Sequence, residues 1–333
     1  MSMLGTQEDE VAPMSPTESD LAVETAGLTR RFGEHRAVDS LNLRIESGEI
    51  YGFLGPNGAG KSTAVKILCT LLRPTGGTAI VAGHDAVREP IEVRRRIGVA
   101  LQEAALDEGQ TGRELLTLQG RLYGLGLAAV RRRVSEVLDL VDIGAAIDYR
   151  IKTYSGGMKR RLDLAASLVH DPQVLFLDEP TTGLDPHSRA TVWCEVRHLN
   201  AQLGMTIFLT TQYLEEADQL ADRVGILDRG RLVVEGSPAQ LKRAQGADIV
   251  VAEVEGIDPA AVNRLSALGL VGGITVEESR ITISTPDGSG AVAGIAQALG
   301  RAGLKVGSLT VRTPTLDDVF MTLTGSRLEA APA

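Results

Sequence analysis

The chain has 333 residues, with 34 Lys and Arg against 43 Asp and Glu and a formal net charge of −9. That length holds one large domain and a small one, or two of middling size. The acidic balance excludes general attraction to DNA, RNA or anionic lipid, and 3% aromatic residues exclude stacking platforms for single-stranded nucleic acid.

No apolar run approaches the ~20 residues that cross a bilayer, so work at a membrane would need another chain to do the crossing. Cys69 and Cys194 both lie in apolar helical surroundings, form no C-x-x-C and read as core thiols of a reducing compartment. The five histidines never fall at metal-ligand spacing, so the only metal expected is one that arrives with a nucleotide.

In chain order, residues 1–20 carry five acids, two prolines and no Lys or Arg. They read as a solvated, disordered tail, without the basic segment and apolar core of a signal peptide. Residues 21–54 read as strands parted by turns, with Leu41 to Ile45 alternating as a half-buried strand. Phe32, before Gly33, is an aromatic that could stack on a nucleotide base or simply pack.

Glu49 to Leu54 form a short buried strand, and Ala64 to Leu72 a helix with Val65, Leu68 and Leu72 on one face. Between them stands Gly55-Pro56-Asn57-Gly58-Ala59-Gly60-Lys61-Ser62-Thr63, which fits the phosphate-loop pattern. The residue types follow from the chemistry. Gly58 and Gly60 let the backbone curl around a triphosphate. Consecutive N–H groups and a helix N-terminus then face its oxygens. Lys61 adds a full charge, and the Ser62 hydroxyl suits Mg²⁺. Each charge-assisted bond is worth roughly 1.5–3 kcal/mol.

Strand patterns continue through Thr78–Ala82 and Ile97–Leu101, the latter followed by Gln102, which could join the metal sphere and sense the γ-phosphate. The stretch 111–170 changes to successive helices: Leu115, Leu118 and Leu122 recur at helical spacing, as do Val130, Val134, Val137, Leu138 and Val141. Its far end, Ser155-Gly156-Gly157 opening a helix, is a second anion cradle. Val174 to Leu177 is an apolar run as in a strand buried on both faces, ending at Asp178-Glu179-Pro180. Asp178 can hold Mg²⁺ opposite Ser62, and Glu179 is the candidate base for an attacking water. Met205 to Leu209 is another buried strand, ending at Thr210-Thr211-Gln212. Asp228 to Arg231 is a hairpin turn, and Ser237 an N-cap. From about 246 the order strand, helix, two strands, helix, strand is that of a split, ferredoxin-like unit, closed by a capping box at Thr315 to Asp318.

One nucleotide needs one cradle, yet this chain has two. A symmetric pair of chains would set each cradle against the other's ATP, so nucleotide would act as glue and hydrolysis would dissolve the joint. At these residues the chain, over about 21–245, resembles the nucleotide-binding subunit of an ABC transporter. The resemblance rests on Gly55 to Thr63 as the Walker A loop, Val174 to Asp178 as the Walker B strand, Glu179 as the catalytic glutamate and Gln102 as the Q-loop. Ser155 to Met158 match the signature loop, Gly183-Leu184-Asp185 the D-loop, and Phe32 the base-stacking aromatic. The closing Thr313 to Phe320 is similar to the accessory domain of the daunorubicin-resistance group of drug and lipid exporters.

The resemblance implies an α/β fold: a P-loop ABC ATPase core with a mixed sheet, an antiparallel β subdomain and an all-helical insertion at about 103–170. A small α+β domain over 246–333 follows it. It implies ATP and Mg²⁺ as cofactors, with the loop from Gly55 to Thr63, Gln102, Ser155, Gly156, Gly157 and Asp185 around the nucleotide, and Ser62, Gln102 and Asp178 around the metal. It further implies ATP hydrolysis by a homodimer docked on a separate membrane-spanning permease at the cytoplasmic face.

Three departures stand out. Tyr154 and Met158 replace the usual Leu and Gln of the signature, altering hydrogen bonding near the opposing γ-phosphate. Gln212 replaces the usual switch His, as in the daunorubicin-resistance group. A Gln amide can donate to phosphate but cannot become cationic, so slow hydrolysis is expected. The alternatives are a soluble ABC-type switch acting in translation or DNA repair, and an ATP-binding regulator without turnover.

Overall fold

A computed structural model describes residues 21–101, 106–246, 248–255, 274–277 and 280–324. The expectations for the tail 1–20, for Gln102 and for a helix over 258–268 lie outside the described residues. The elements are β1 (Leu21–Phe32), β2 (His35–Glu46), β3 (Ile50–Leu54), α1 (Lys61–Leu68), β4 (Gly76–Val81), β5 (His84–Asp85), α2 (Pro90–Arg96) and β6 (Ile97–Ala100). They continue with α3 (Gly112–Leu122), α4 (Leu127–Leu140), α5 (Gly156–Leu168), β7 (Val174–Asp178), α6 (Pro186–Leu203) and β8 (Thr206–Thr211). Then come α7 (Leu214–Leu220), β9 (Arg223–Asp228), β10 (Arg231–Gly236), α8 (Pro238–Gln245), β11 (Asp248–Glu255), β12 (Ile274–Glu277), β13 (Arg280–Thr285), α9 (Gly288–Arg301), β14 (Lys305–Arg312) and α10 (Leu316–Thr324).

The chain divides into two compact units. The described residues within Met1–Ile50 and Ser62–Leu209 make one; those within Tyr51–Lys61 and Thr210–Ala333 make the other. In the first, an antiparallel sheet runs β2-β1-β4-β5, and β6, β7 and β8 lie side by side with β6 parallel to β7. Every residue of β7 is buried, as its unbroken apolar run requires, and Phe176 meets Phe208 at 5.4 Å between ring centroids.

The helical insertion forms as expected, but α3 turns a different face inward. Leu118 and Leu122 are exposed, whereas Gly112, Leu116 and Gly120 are buried. The two glycines decide this. A Cβ on Gly120 would stand 3.0 Å from Val130, and one on Gly112 would stand 2.7 Å from the Tyr154 hydroxyl. Glycines at i and i+8, on either side of the buried Leu116, let neighbouring side chains approach this face more closely than leucines there would. On α4, Val130, Val134 and Val137 are buried as their spacing predicts.

Cys194 also departs from expectation: Cys69 is buried, but Cys194 is exposed. The buried face of α6 is set by Val192, Glu195, Val196 and Leu199, and position 194 points away from it.

In the second unit β3 runs parallel to β9, which pairs antiparallel with β10 through a turn at Arg229 and Gly230, both with positive φ. An antiparallel sheet of order β12-β13-β11-β14 carries α9 on one face, where Ile295 and Leu299 pack on Val250, Ile281 and Ile283. The capping box at the start of α10 is present: the Asp318 N–H donates to Thr315 Oγ1 at 3.2 Å and the Thr315 N–H to Asp318 Oδ2 at 2.9 Å. Leu316, Val319 and Phe320 of that helix bury themselves against Leu54, Val224, Ile226 and Leu241.

Candidate nucleotide site

The Gly-rich stretch turns tightly between β3 and α1. Gly58 and Gly60 have φ of 81° and 108°, conformations that side chains strain to adopt. The turn is closed by the Ala59 N–H on Pro56 O at 3.1 Å and braced by the Gly230 N–H on Ala59 O at 2.8 Å. Lys61 is buried, and its Nζ donates to Gly55 O at 2.6 Å and Pro56 O at 3.3 Å. The ammonium is thus folded back over the mouth of its own loop. Pro56, Asn57, Ser62 and Thr63 complete the run, with Lys61 opening α1.

In the other unit, Ser62 Oγ donates to Asp178 Oδ1 at 3.3 Å, which joins the start of α1 to the end of β7. A hydroxyl and a buried carboxylate side by side are hard oxygen donors. They fit Mg²⁺, which takes one or two protein ligands and completes its shell with phosphate and water. Among the described residues no group of three or more His, Cys, Asp or Glu could hold a metal alone. Burial, and then the negative charge of Asp178, push the thiol of Cys69 well above its ordinary range. It is therefore an inert neutral neighbour.

Glu179 follows with φ of 49°, a left-handed backbone in a residue that is not glycine. Such a conformation costs roughly 1–3 kcal/mol and persists only where the surroundings hold it. Thr182 Oγ1 donates to Glu179 Oε2 at 3.3 Å, and the Thr182 N–H to Glu179 O at 3.2 Å. Gln212, half-buried, follows the end of β8. Phe32 is 47% exposed at the end of β1, its ring 4.5 Å from the Arg30 guanidinium. One face is engaged by a cation, and the aromatic is not buried in the core.

Ser155 is the N-cap of α5; its hydroxyl accepts from the Met158 N–H at 3.2 Å. Gly156 is exposed, with no atom within 4 Å of where a Cβ would stand, and a Cβ on Gly157 would meet Ser188 Oγ at 3.3 Å. Ser188 belongs to the next element: Asp185 caps α6, accepting from the Ser188 N–H at 3.0 Å and its Oγ at 2.6 Å. The side-chain bond from Ser188, and then the backbone ones, hold the Asp185 carboxyl below its ordinary range. Signature and D-loop stretches therefore share one surface, a neighbourhood that their separation in sequence hides. Tyr154 differs from expectation. Its ring is buried and its hydroxyl donates to Ala146 O at 2.5 Å, so it anchors the loop from behind.

The phosphate loop, the Ser62–Asp178 pair and the capped glycine pair define an ATP-binding cassette. The family profile described as ABC transporter matches residues 38–182, and that of the ATP-binding protein DrrA1-3-like C-terminal domain matches 236–324. The chain is 49% identical over 311 residues, 92% of its length and 97% of the relative's, to the daunorubicin resistance ATP-binding protein DrrA3 of Streptomyces coeruleorubidus. It is 40% identical to the Nod factor export ATP-binding protein I of Sinorhizobium fredii, over 95% of this chain and 90% of that one. Among solved structures it is similar to a dimeric ATP-binding cassette in a post-hydrolysis state with ADP and Pi. That match has a TM-score of 0.59 and 25% identity, and covers 65% of this chain and 98% of that one. The chain belongs to the daunorubicin-resistance group of ABC transporter ATP-binding proteins. It is a nucleotide-binding ATPase of a drug-resistance exporter family.

Proposed function

We propose that two copies of this chain close around two ATP molecules and drive a separate membrane-spanning permease that exports a hydrophobic drug, antibiotic or lipid. The observation that carries the pairing is Gly156. Its φ is not positive, and open space lies before it, so nothing within the protomer requires a glycine. A partner's triphosphate approaching the N-terminus of α5 would require it. The dimeric cassette bound to ADP and Pi supports the pairing. Relatives named for daunorubicin resistance and Nod factor export support export as the role.

In this reading the loop N–H groups from Gly55 to Thr63 and Lys61 grip the phosphates, and the base stacks on Phe32. Ser62, Asp178 and Gln102 hold Mg²⁺, which offsets phosphate charge. Glu179 takes the proton of the attacking water. Gln212 donates to a γ-phosphate oxygen, and Ser155 to Gly157 with Asp185 complete the partner's site. Losing one preorganised donor can cost ~10²–10³ in rate, and an amide in place of an imidazole costs less. Turnover is therefore slow but real.

No helix among the described residues is long and apolar enough to cross a membrane. Leu118, Leu122 and Leu127 of the helical insertion are exposed, and apolar side chains there suit docking on a permease at the cytoplasmic side. The family matches at 38–182 and 236–324 support an ATPase domain over 21–245 and a split α+β accessory domain over 246–333.

Glu179→Gln tests this. With MgATP the variant should bind nucleotide as the parent does, lose turnover and accumulate as a dimer in sedimentation. Hydrolysis at the parental rate would remove Glu179 from its role, and an ATP-loaded monomer would remove the pairing.

A further inference from the structure

We propose that Arg160 of α5 is a positioning residue for ATP hydrolysis, holding the strained turn that carries Glu179. The guanidinium lies 11% exposed and donates in three directions. Nε reaches Pro180 O at 2.9 Å, Nη1 reaches Leu101 O at 2.7 Å, and Nη1 also meets Asp163 Oδ2 at 3.3 Å. Pro180 is the residue after Glu179, and Leu101 follows β6. One side chain from the signature helix thus fastens the exits of two neighbouring strands, across 20 and 59 positions of sequence.

The need for such a fastening comes from Glu179. Its left-handed φ of 49° is maintained against a conformational cost. Hydrogen bonds from a charged donor are roughly twice as strong as those between neutral groups and offset that cost. The space around the guanidinium is tight. The cavity lined by Arg160, Leu177, Pro180 and Glu195 measures about 10 Å³, so the planar group has little room to swing away. Geometry also selects arginine. A rigid fork can serve two carbonyls at once, whereas a lysine ammonium is a single point on a flexible stem. Asp163, one turn further along α5, meets the same Nη1 that reaches Leu101 O.

Arg160 touches no reacting atom in this scheme. It acts through the Pro180 carbonyl, and the inference rests on Glu179 being the base as proposed above. Loosening the turn would leave the phosphate grip intact and misplace the base, lowering kcat without raising KM.

The test is steady-state ATP hydrolysis by the purified full-length chain, with Arg160→Ala, Arg160→Lys and Glu179→Gln measured in parallel. Thermal melting and titration with a fluorescent ATP analogue accompany each. Arg160→Ala should lower kcat about tenfold or more while KM and analogue affinity stay within about threefold. Arg160→Lys should melt closer to the parent than Arg160→Ala yet recover only part of kcat, because charge is retained and bridging is not. It also reports on the proposal should Arg160→Ala fail to fold. The proposal falls if Arg160→Ala turns over at the parental rate. It falls equally if Arg160→Lys restores kcat in full, or if kcat and analogue affinity decline together. An inactive Glu179→Gln beside an active Arg160→Ala would sink the positioning role alone. An active Glu179→Gln would sink the assignment of the base beneath it.

Discussion

Two of the glycine loops that open helices among the described residues, at Gly55 to Thr63 and at Ser155 to Gly157, are built on opposite plans. In the phosphate loop Gly58 and Gly60 hold φ values open to few other residues, and a buried lysine closes the turn on itself. That loop is shaped by its own backbone. At Ser155 to Gly157 the glycines have no positive φ, Gly156 faces open space, and the only side chain engaged is the serine cap. In the second loop, Gly157 packs against Ser188, but the smallness of Gly156 has no cause within the protomer, and that difference is what the proposed sharing of a site between two protomers needs.

Substitution at Lys61 should give the larger effect. Lys61→Ala removes a charge worth roughly 1.5–3 kcal/mol at the phosphates, so ATP affinity should weaken about 10- to 100-fold in calorimetric titration. Unchanged affinity would mean that the loop does not grip nucleotide. At Gly156 the effects should separate. Alanine at the first position of α5 meets no atom and improves helix propensity by up to about 1 kcal/mol, so melting should hold or rise slightly. ATP binding should persist while turnover and ATP-dependent dimerisation decline about tenfold or more. A Gly156→Ala protein with parental turnover would erase the contrast between the loops.

Much of the first loop was legible because its causes are local. A strand, a glycine run, a lysine and a helix lie within 20 residues, and Asp178 ends an unbroken apolar run. The stop of α1 was less visible. It ends at Leu68 rather than Leu72 because Thr70, with φ of 62°, takes the left-handed position usually given to glycine. The Leu71 N–H then bonds back to Lys66 O at 2.8 Å. Leu118 and Leu122 misled because the glycine face of α3, not the leucine face, makes the close packing. The reach of Arg160, the turned backbone of Glu179 and the meeting of Gly157 with Ser188 depend on contacts far apart in sequence. No local pattern announces them.

The supports behind the two loops sharpen the contrast further. Lys61 has two carbonyls at its ammonium, but Glu195, which lines the small cavity beside Arg160 and Arg161 of α5, has Oε2 buried without a hydrogen-bond partner. Burial pushes its carboxyl up to about 7, against the attraction of Arg161 and with the repulsion of Asp142. The unfolded chain releases that proton near pH 4.3. Between roughly pH 4.5 and 7 the native state therefore binds more protons, and stability falls as pH rises through that window. Asp163, pushed up to about 6 by burial, acts in the same direction. Glu195→Gln carries no charge to bury, so it should melt a few degrees higher than the parent at pH 8, a gain on the order of 2 kcal/mol. At pH 4.5 the two proteins should melt together, because both are then neutral at that position. A parental slope of melting temperature against pH in the variant would show that the signature helix rests on no such strained charge.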